Sequence, residues 1–272
     1  MSNVLFDSVA NCSQELMKYG LSAEEFAVLA QENNMDDSEI RAVARVFEYL
    51  KEKKESSTVD FLLRTSRLPL KVPKTFDNFD FDCIVGKNVD KLRSLSTLSA
   101  LYAHKNLAFI GKTGTGKTHL AQAFGRTCCE HGLKAYFIKM SELRDRMTEA
   151  RRTGREGTLL ASLVRPSCLI IDEVGHCEFD KENTRLFFDM VDRRYQKEGY
   201  YNMVFTSNRD PSQWHENFRE SDALLCALDR IFDDAIVFTI KGEGFRGRRL
   251  ETVSLRTNVA SPAVPTSKKD DN

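Results

Sequence analysis

Hydrophobic and polar positions divide the chain into a helical N-terminal stretch and a longer stretch in which helix and strand patterns alternate. Ser22-Ala23-Glu24-Glu25 carries the side chains of a capping box, which predicts a short helix from there. A longer helix is predicted by Ile40, Val43, Ala44, Phe47 and Leu50, which share one face at helical spacing. The charged run Lys51-Glu52-Lys53-Lys54-Glu55-Ser56-Ser57 then reads as a solvated end or linker. A third segment with Phe61, Leu62 and Leu63 stops at Leu68-Pro69, because a residue before proline is pushed out of the helical region. Residues 1–70 are therefore expected to form a helical module. An ordered connector follows, from Lys71 through Pro73 and the acidic-aromatic run Phe76 to Asp82.

From there the period changes repeatedly. A helix carrying Val89, Leu92, Leu95 and Leu98 precedes a compact apolar strand, Leu107 to Ile110, and a helix with Leu120, Ala121 and Phe124 follows it. Further strands are predicted at Ala135 to Ile138, Cys168 to Ile171, Met203 to Asn208 with a polar tip, and Ala235 to Ile240. The intervening helices cover Ser141 to Gly157, a segment burying Leu186, Phe187, Met190, Val191 and Tyr195, a start at Asp210-Pro211, and a segment from Ser221 burying Leu224, Leu225, Leu228, Ile231 and Phe232. Alternation of this kind predicts an α/β fold, a parallel sheet flanked by helices on both faces in three layers.

The candidate chemistry lies at the ends of two of these strands. Gly111-Lys112-Thr113-Gly114-Thr115-Gly116-Lys117-Thr118 is an uninterrupted G-x4-G-K-T in the strand, loop, helix context that a phosphate-binding loop requires. Glycines let backbone N–H groups turn inward as an anion nest, and the helix that follows adds the positive end of its dipole. The set Gly111 to Thr118, extended to His119, is expected to hold a nucleoside triphosphate. Within it, Lys117 reaches the β- and γ-phosphates and the Thr118 hydroxyl ligates Mg2+. Cys168-Leu169-Ile170-Ile171-Asp172-Glu173 is a short apolar strand ending in two acids. Paired with the loop, it places Asp172 to hold Mg2+ through its water shell and Glu173 to polarise the attacking water as a general base. Asn208, at the polar tip of Thr206-Ser207-Asn208, either senses the γ-phosphate or only caps its loop.

Composition excludes rather than assigns. Lys plus Arg and Asp plus Glu are both 40, so affinity for nucleic acid has to come from a local patch. One candidate patch is Arg144, Arg146, Arg151, Arg152 and Arg155, which is either a solvated helix face or a surface that contacts phosphates. The seven cysteines show neither a C-x-x-C pair nor metal-ligand spacing and read as reduced thiols of a cytoplasmic protein. Neither a membrane span nor a signal peptide is expected.

The order of these motifs, continued by Leu228-Asp229-Arg230 and Gly242-Glu243-Gly244-Phe245-Arg246, resembles the AAA+ ATPases of the IstB and DnaC branch over roughly Leu68 to Leu250. The resemblance implies an ATP-hydrolysing domain at 71–250, a minimal C-terminal lid and a disordered tail at 251–272. It also implies Arg230 as an arginine finger completing a neighbouring subunit's site, and Arg246 as a second sensor of the γ-phosphate. Gly244-Phe245 departs from the Ser-Tyr usual in the family. The partners implied are DNA, further copies of the chain bridged by nucleotide, and a transposase; in the nearest rival role the partner is a replicative helicase. On this view the N-terminal module is a docking or DNA-binding appendage, or simply a bundle packed on the ATPase domain. A P-loop kinase acting on a small molecule is the more distant alternative, disfavoured by Glu173, which suits activation of water. A nucleotide-gated adaptor that barely turns over would differ only in rate.

Overall fold

The computed structural model describes residues 2–242 apart from 85, 87 and 220. Five strands, β1 (Asn106–Gly111), β2 (Ala135–Lys139), β3 (Cys168–Val174), β4 (Asn202–Ser207) and β5 (Ala235–Ile240), form one parallel sheet in the order β2-β3-β4-β1-β5. The middles of β1, β3 and β4 are apolar because both of their faces are covered, while β5 at the edge is only partly buried. Along β1, Leu107 and Phe109 enter one core and Ala108 and Ile110 the other. Along β3, Ile170 and Ile171 divide the same way.

The first core is closed by α6 (Lys117–Glu130), by the connector residues Phe76 and Phe79, and by Leu92, Leu95 and Leu101. The second is closed by α7 (Met140–Thr153), α8 (Glu156–Val164), α9 (Lys181–Tyr195), a 3-10 turn at Pro211–Asn217 and α10 (Ser221–Phe232). This is the three-layer parallel α/β arrangement predicted from the alternation.

Ahead of the sheet stand α1 (Ser2–Leu16), α2 (Ala23–Glu32) and α3 (Asp37–Thr65), with a small cluster of their own built on Val9, Phe26, Ala30, Ile40 and Ala44. The capping box at Ser22 forms as the sequence indicates, with Ser22 Oγ accepting from Glu25 N–H at 3.1 Å. Three expectations need correction. The charged run Lys51 to Ser57 does not interrupt a helix: α3 continues through it, since the run holds neither proline nor glycine and is rich in good helix formers. Lys51 also pairs with Glu15 at the end of α1 at 2.8 Å, while Leu50 is left exposed. The helix expected over Val89 to Leu98 is broken into α4 (Val89–Arg93), a 3-10 turn and α5 (Ser99–Tyr102), because Leu98 takes a left-handed conformation while fully buried. Gly154, at φ +64°, ends α7 and splits Ser141 to Gly157 in two.

Among the described residues no helix is long and apolar enough to cross a membrane, and the seven cysteines are free thiols. Arg246 and the segment 251–272 lie outside the described residues.

Candidate phosphate-binding site

The loop between β1 and α6 sits at the C-terminal edge of the sheet, between β4 and β5, where an open parallel sheet places its ligands. Its glycines are required by geometry. A Cβ on Gly111 would lie 2.3 Å from the Ile240 carbonyl oxygen of β5, and Gly114 and Gly116 hold φ of +86° and +90°. The loop closes around one carbonyl: Lys112 O accepts from Lys117 Nζ at 2.7 Å and from Thr115 Oγ1 at 2.9 Å. Gly116 opens α6, so the first N–H groups of a fourteen-residue helix face the loop.

Thr118 and Asp172 are brought together as the motif pairing predicted. Thr118 Oγ1 donates to Asp172 Oδ1 at 2.9 Å, and Asp172 is only 2% exposed. The same carboxylate oxygen accepts from Thr206 Oγ1 at 2.5 Å, and Thr206 Oγ1 in turn accepts from Glu173 N–H at 3.0 Å. Glu173 stands at φ +62°, at the register shift between Ile171 and Val174, and its exposed carboxylate lies 3.0 Å from Lys139 Nζ at the end of β2. Asn208 Nδ2 donates to Thr113 Oγ1 of the loop at 3.0 Å and approaches His176 Nε2 at 3.4 Å, while His176 Nδ1 lies 3.1 Å from the Glu173 carbonyl. Asn208 is thus joined to the loop and is not confined to capping its own turn.

His119 borders the same cavity as Lys117 and Thr118, with its ring turned toward the connector. Its Nε2–H donates to Thr75 O at 2.9 Å and its ring meets Phe79 edge-on at 5.2 Å, with burial lowering its pKa. His119 therefore helps to fasten the connector onto α6. A cavity of about 570 Å³ lies between the two, lined by Lys74, Asn78, Phe79 and Asp80 on the connector and by Gly114, Gly116, Lys117, Thr118, His119 and Gln122 on the loop and helix. The sequence marked this connector as ordered but not as a wall of the site. Its acidic-aromatic composition was the available signal.

Arg230 is turned onto α9. Its guanidinium lies 3.2 Å from Asp192 Oδ1 and 5.1 Å from the centre of the Phe188 ring, and its Nη1 is buried without a hydrogen-bond partner. Arg246 is not among the described residues. Of the arginine run on and after α7, Arg144 pairs with Asp145, Arg146 with Glu142, Arg151 with Asp180 and Arg152 with Glu149. Arg152, with 73% of its side chain exposed, reaches furthest into solvent among these four. No group of three or more His, Cys, Asp or Glu side chains suited to a metal occurs among the described residues.

A phosphate-binding loop on β1, an inner strand of a β2-β3-β4-β1-β5 parallel sheet, facing an Asp-Glu pair at the end of β3, defines a P-loop protein of AAA+ type. Within that class the chain belongs to the family described as IstB-like ATP binding protein, which it matches over residues 14–252. It is 33% identical over 195 residues to the insertion sequence IS5376 ATP-binding protein of Geobacillus stearothermophilus, covering 72% of this chain and 76% of that one. Similarity to the insertion sequence IS21 ATP-binding protein of Pseudomonas aeruginosa is 30% over 200 residues, 74% of each chain. Among solved structures, AMPPCP-bound DnaA from Aquifex aeolicus matches with a TM-score of 0.52 at 21% identity, over 64% of this chain and about half (51%) of that one. DnaI matches with a TM-score of 0.51 at 20% identity, over 63% and 90%. These two likenesses concern the fold.

Proposed function

We propose that the protein binds ATP with Mg2+, hydrolyses it, and uses the cycle to assemble on DNA as a helper ATPase for transposition of an insertion sequence. The observation that carries this reading is the 2.9 Å contact between Thr118 and Asp172, which ties the phosphate-binding loop to the acid pair at the end of β3. A threonine hydroxyl and one buried carboxylate are hard oxygen donors. That set fits Mg2+, which takes few protein ligands when phosphates and water supply the rest. Thr118 and Asp172 would hold the ion, which when bound neutralises phosphate charge. Lys117, seated within the loop, exchanges its carbonyl partner for a phosphate oxygen, and the α6 N-terminus adds N–H donors. Glu173 accepts a proton from the attacking water, and Asn208, fixed on Thr113, orients that water or the γ-phosphate. The relatives' names support the transposition role over helicase loading, and Glu173 supports hydrolysis over transfer to a small molecule.

Assembly through nucleotide calls for Arg230 of α10 to leave Asp192 and Phe188 on α9 and reach a neighbouring site. Mixing Arg230→Ala with Lys117→Ala protein tests this. Composite sites that regain part of the lost turnover are expected, and a mixture no better than the sum of its parts counts against action in trans. The DNA part of the proposal rests on the exposed end of α7. Reversing Arg152 and Arg155 to glutamate together is expected to weaken DNA binding several-fold and to reduce the slope of log affinity against log salt by about 2. Unchanged affinity in a salt titration would return these arginines to a solvated face.

A further inference from the structure

Thr206 was not singled out by the sequence, yet the two acids of the site meet on its side chain. Along β3 the side chains alternate until Ile171, which lies in the second core. Val174 lies in the same core, so the two residues between them occupy an irregularity in the ladder. Asp172 points to the α6 side, where Thr118 reaches it, and Glu173 is the extra residue, left-handed at φ +62° and exposed. A non-glycine residue holds that conformation only where its surroundings dictate it. The N–H that the irregularity turns off the ladder is taken up by Thr206 Oγ1 at 3.0 Å.

The hydrogen-bond directions are fixed by elimination. The backbone N–H of Glu173 can only donate, so Thr206 Oγ1 accepts from it. The single hydroxyl hydrogen is then free to donate to Asp172 Oδ1 at 2.5 Å. Thr206 is 1% exposed, so water does not substitute for either bond. On β4, Val204 faces the first core and Phe205 the second, and the alternation puts Thr206 on the α6 side beside Asp172. One hydroxyl thus locks the carboxylate direction of Asp172 and the backbone direction of Glu173 together.

We propose that Thr206 is the positioning residue of the site, its hydroxyl orienting Asp172 for Mg2+ and holding the turn that aims Glu173 at the attacking water. This rests on the reading given under Proposed function, and it assigns to Thr206 a part distinct from that of Asn208. The bond to Asp172 concerns metal affinity, and the bond to Glu173 concerns turnover.

The test uses the full-length chain with Thr206→Val, which keeps the shape and removes the hydroxyl, and Thr206→Ser, which restores it. Three quantities are measured: binding of a fluorescent ATP analogue without Mg2+, the Mg2+ concentration that half-saturates the Mg2+-dependent increase in that binding, and kcat. For Thr206→Val, metal-free nucleotide binding is expected to stay within about threefold of wild type. The half-saturating Mg2+ concentration is expected to rise, and kcat to fall, by about ten- to a hundredfold, as for loss of a group that orients a metal ligand. Thr206→Ser is expected to recover most of both. A merely structural role would lower thermal stability without separating these readouts. Should valine crowd Asp172 and prevent folding, Thr206→Ala gives the same comparison. A variant with wild-type Mg2+ dependence and kcat overturns the inference alone. A wild-type chain with no Mg2+-dependent nucleotide binding overturns the parent reading and this inference with it.

Discussion

Glu173→Gln is expected to leave ATP binding within about threefold of wild type while turnover falls by about a hundredfold or more, the range lost when a general base is neutralised. The substitution keeps the side-chain length and the backbone N–H bond to Thr206, so the turn at φ +62° has no reason to relax. What it removes is the negative charge that accepts a proton and that now lies 3.0 Å from Lys139 Nζ. That ion pair is about half exposed on both sides, so its loss costs little stability, and the decline in rate is a matter of chemistry rather than folding. Measured by phosphate release at saturating ATP, undiminished turnover would remove Glu173 as the base. An equal loss of affinity and rate would make it a binding group instead.

The contrast between Glu173 and Thr206 shows what local sequence can and cannot carry. An apolar run ending in Asp-Glu, like a glycine loop ending in Lys-Thr, is legible because each residue type is demanded by its own backbone position and ligand. Thr206 is a β-branched residue in a strand and reads as an ordinary strand former. Its importance comes from facing Asp172 across the β3 to β4 ladder, a relation that only the sheet register creates. The same holds for Phe76 and Phe79, whose composition marked a connector but whose burial under α6 makes it a cavity wall. The continuity of α3 was obscured because the solvated run Lys51 to Ser57 has no apolar face to reveal its period. Its helical state follows from propensity and from the partner that Glu15 supplies. Arg230 sits on α10 as the family resemblance led one to look for it, but its hold on Asp192 and Phe188 is tertiary and has no signature along the chain.

The α9 helix gives the largest expected effect on stability. Periodicity assigned Tyr195 to its buried face, yet Tyr195 is 47% exposed and its neighbour Arg194 is fully buried. The guanidinium explains the exchange. Its Nη1 donates to Leu163 O, Val164 O and Pro166 O at 2.9 to 3.1 Å, and its Nη2 donates to Ser167 O at 3.3 Å and Asn202 O at 2.6 Å. One rigid fork therefore satisfies the final carbonyls of α8, the loop into β3 and the first residue of β4, and sets a positive charge at the negative end of the α8 dipole. Burial lowers its pKa to about 10, so it stays charged at neutral pH. Lys197, its pKa lowered to about 8 first by burial and then by Arg194, donates to Arg165 O and Pro166 O beside it. Arg194→Met keeps the volume and removes a donor from five carbonyls at once. Pro166 O keeps Lys197 Nζ and Ser167 O keeps the Asn202 N–H, but the final carbonyls of α8, Leu163 O and Val164 O, lose the guanidinium that caps them. A loss of about 3 to 5 kcal/mol is expected, since breaking a buried charged network costs that much. For a chain of this size that corresponds to a Tm lower by roughly 6 to 20 °C. Arg194→Lys, which supplies one point charge in place of a fork, should fall between the two. Thermal unfolding followed by circular dichroism decides the matter: a methionine variant melting within about 2 °C of wild type would mean that these carbonyls find water or other donors, and that the arginine is not what joins α8 to the sheet.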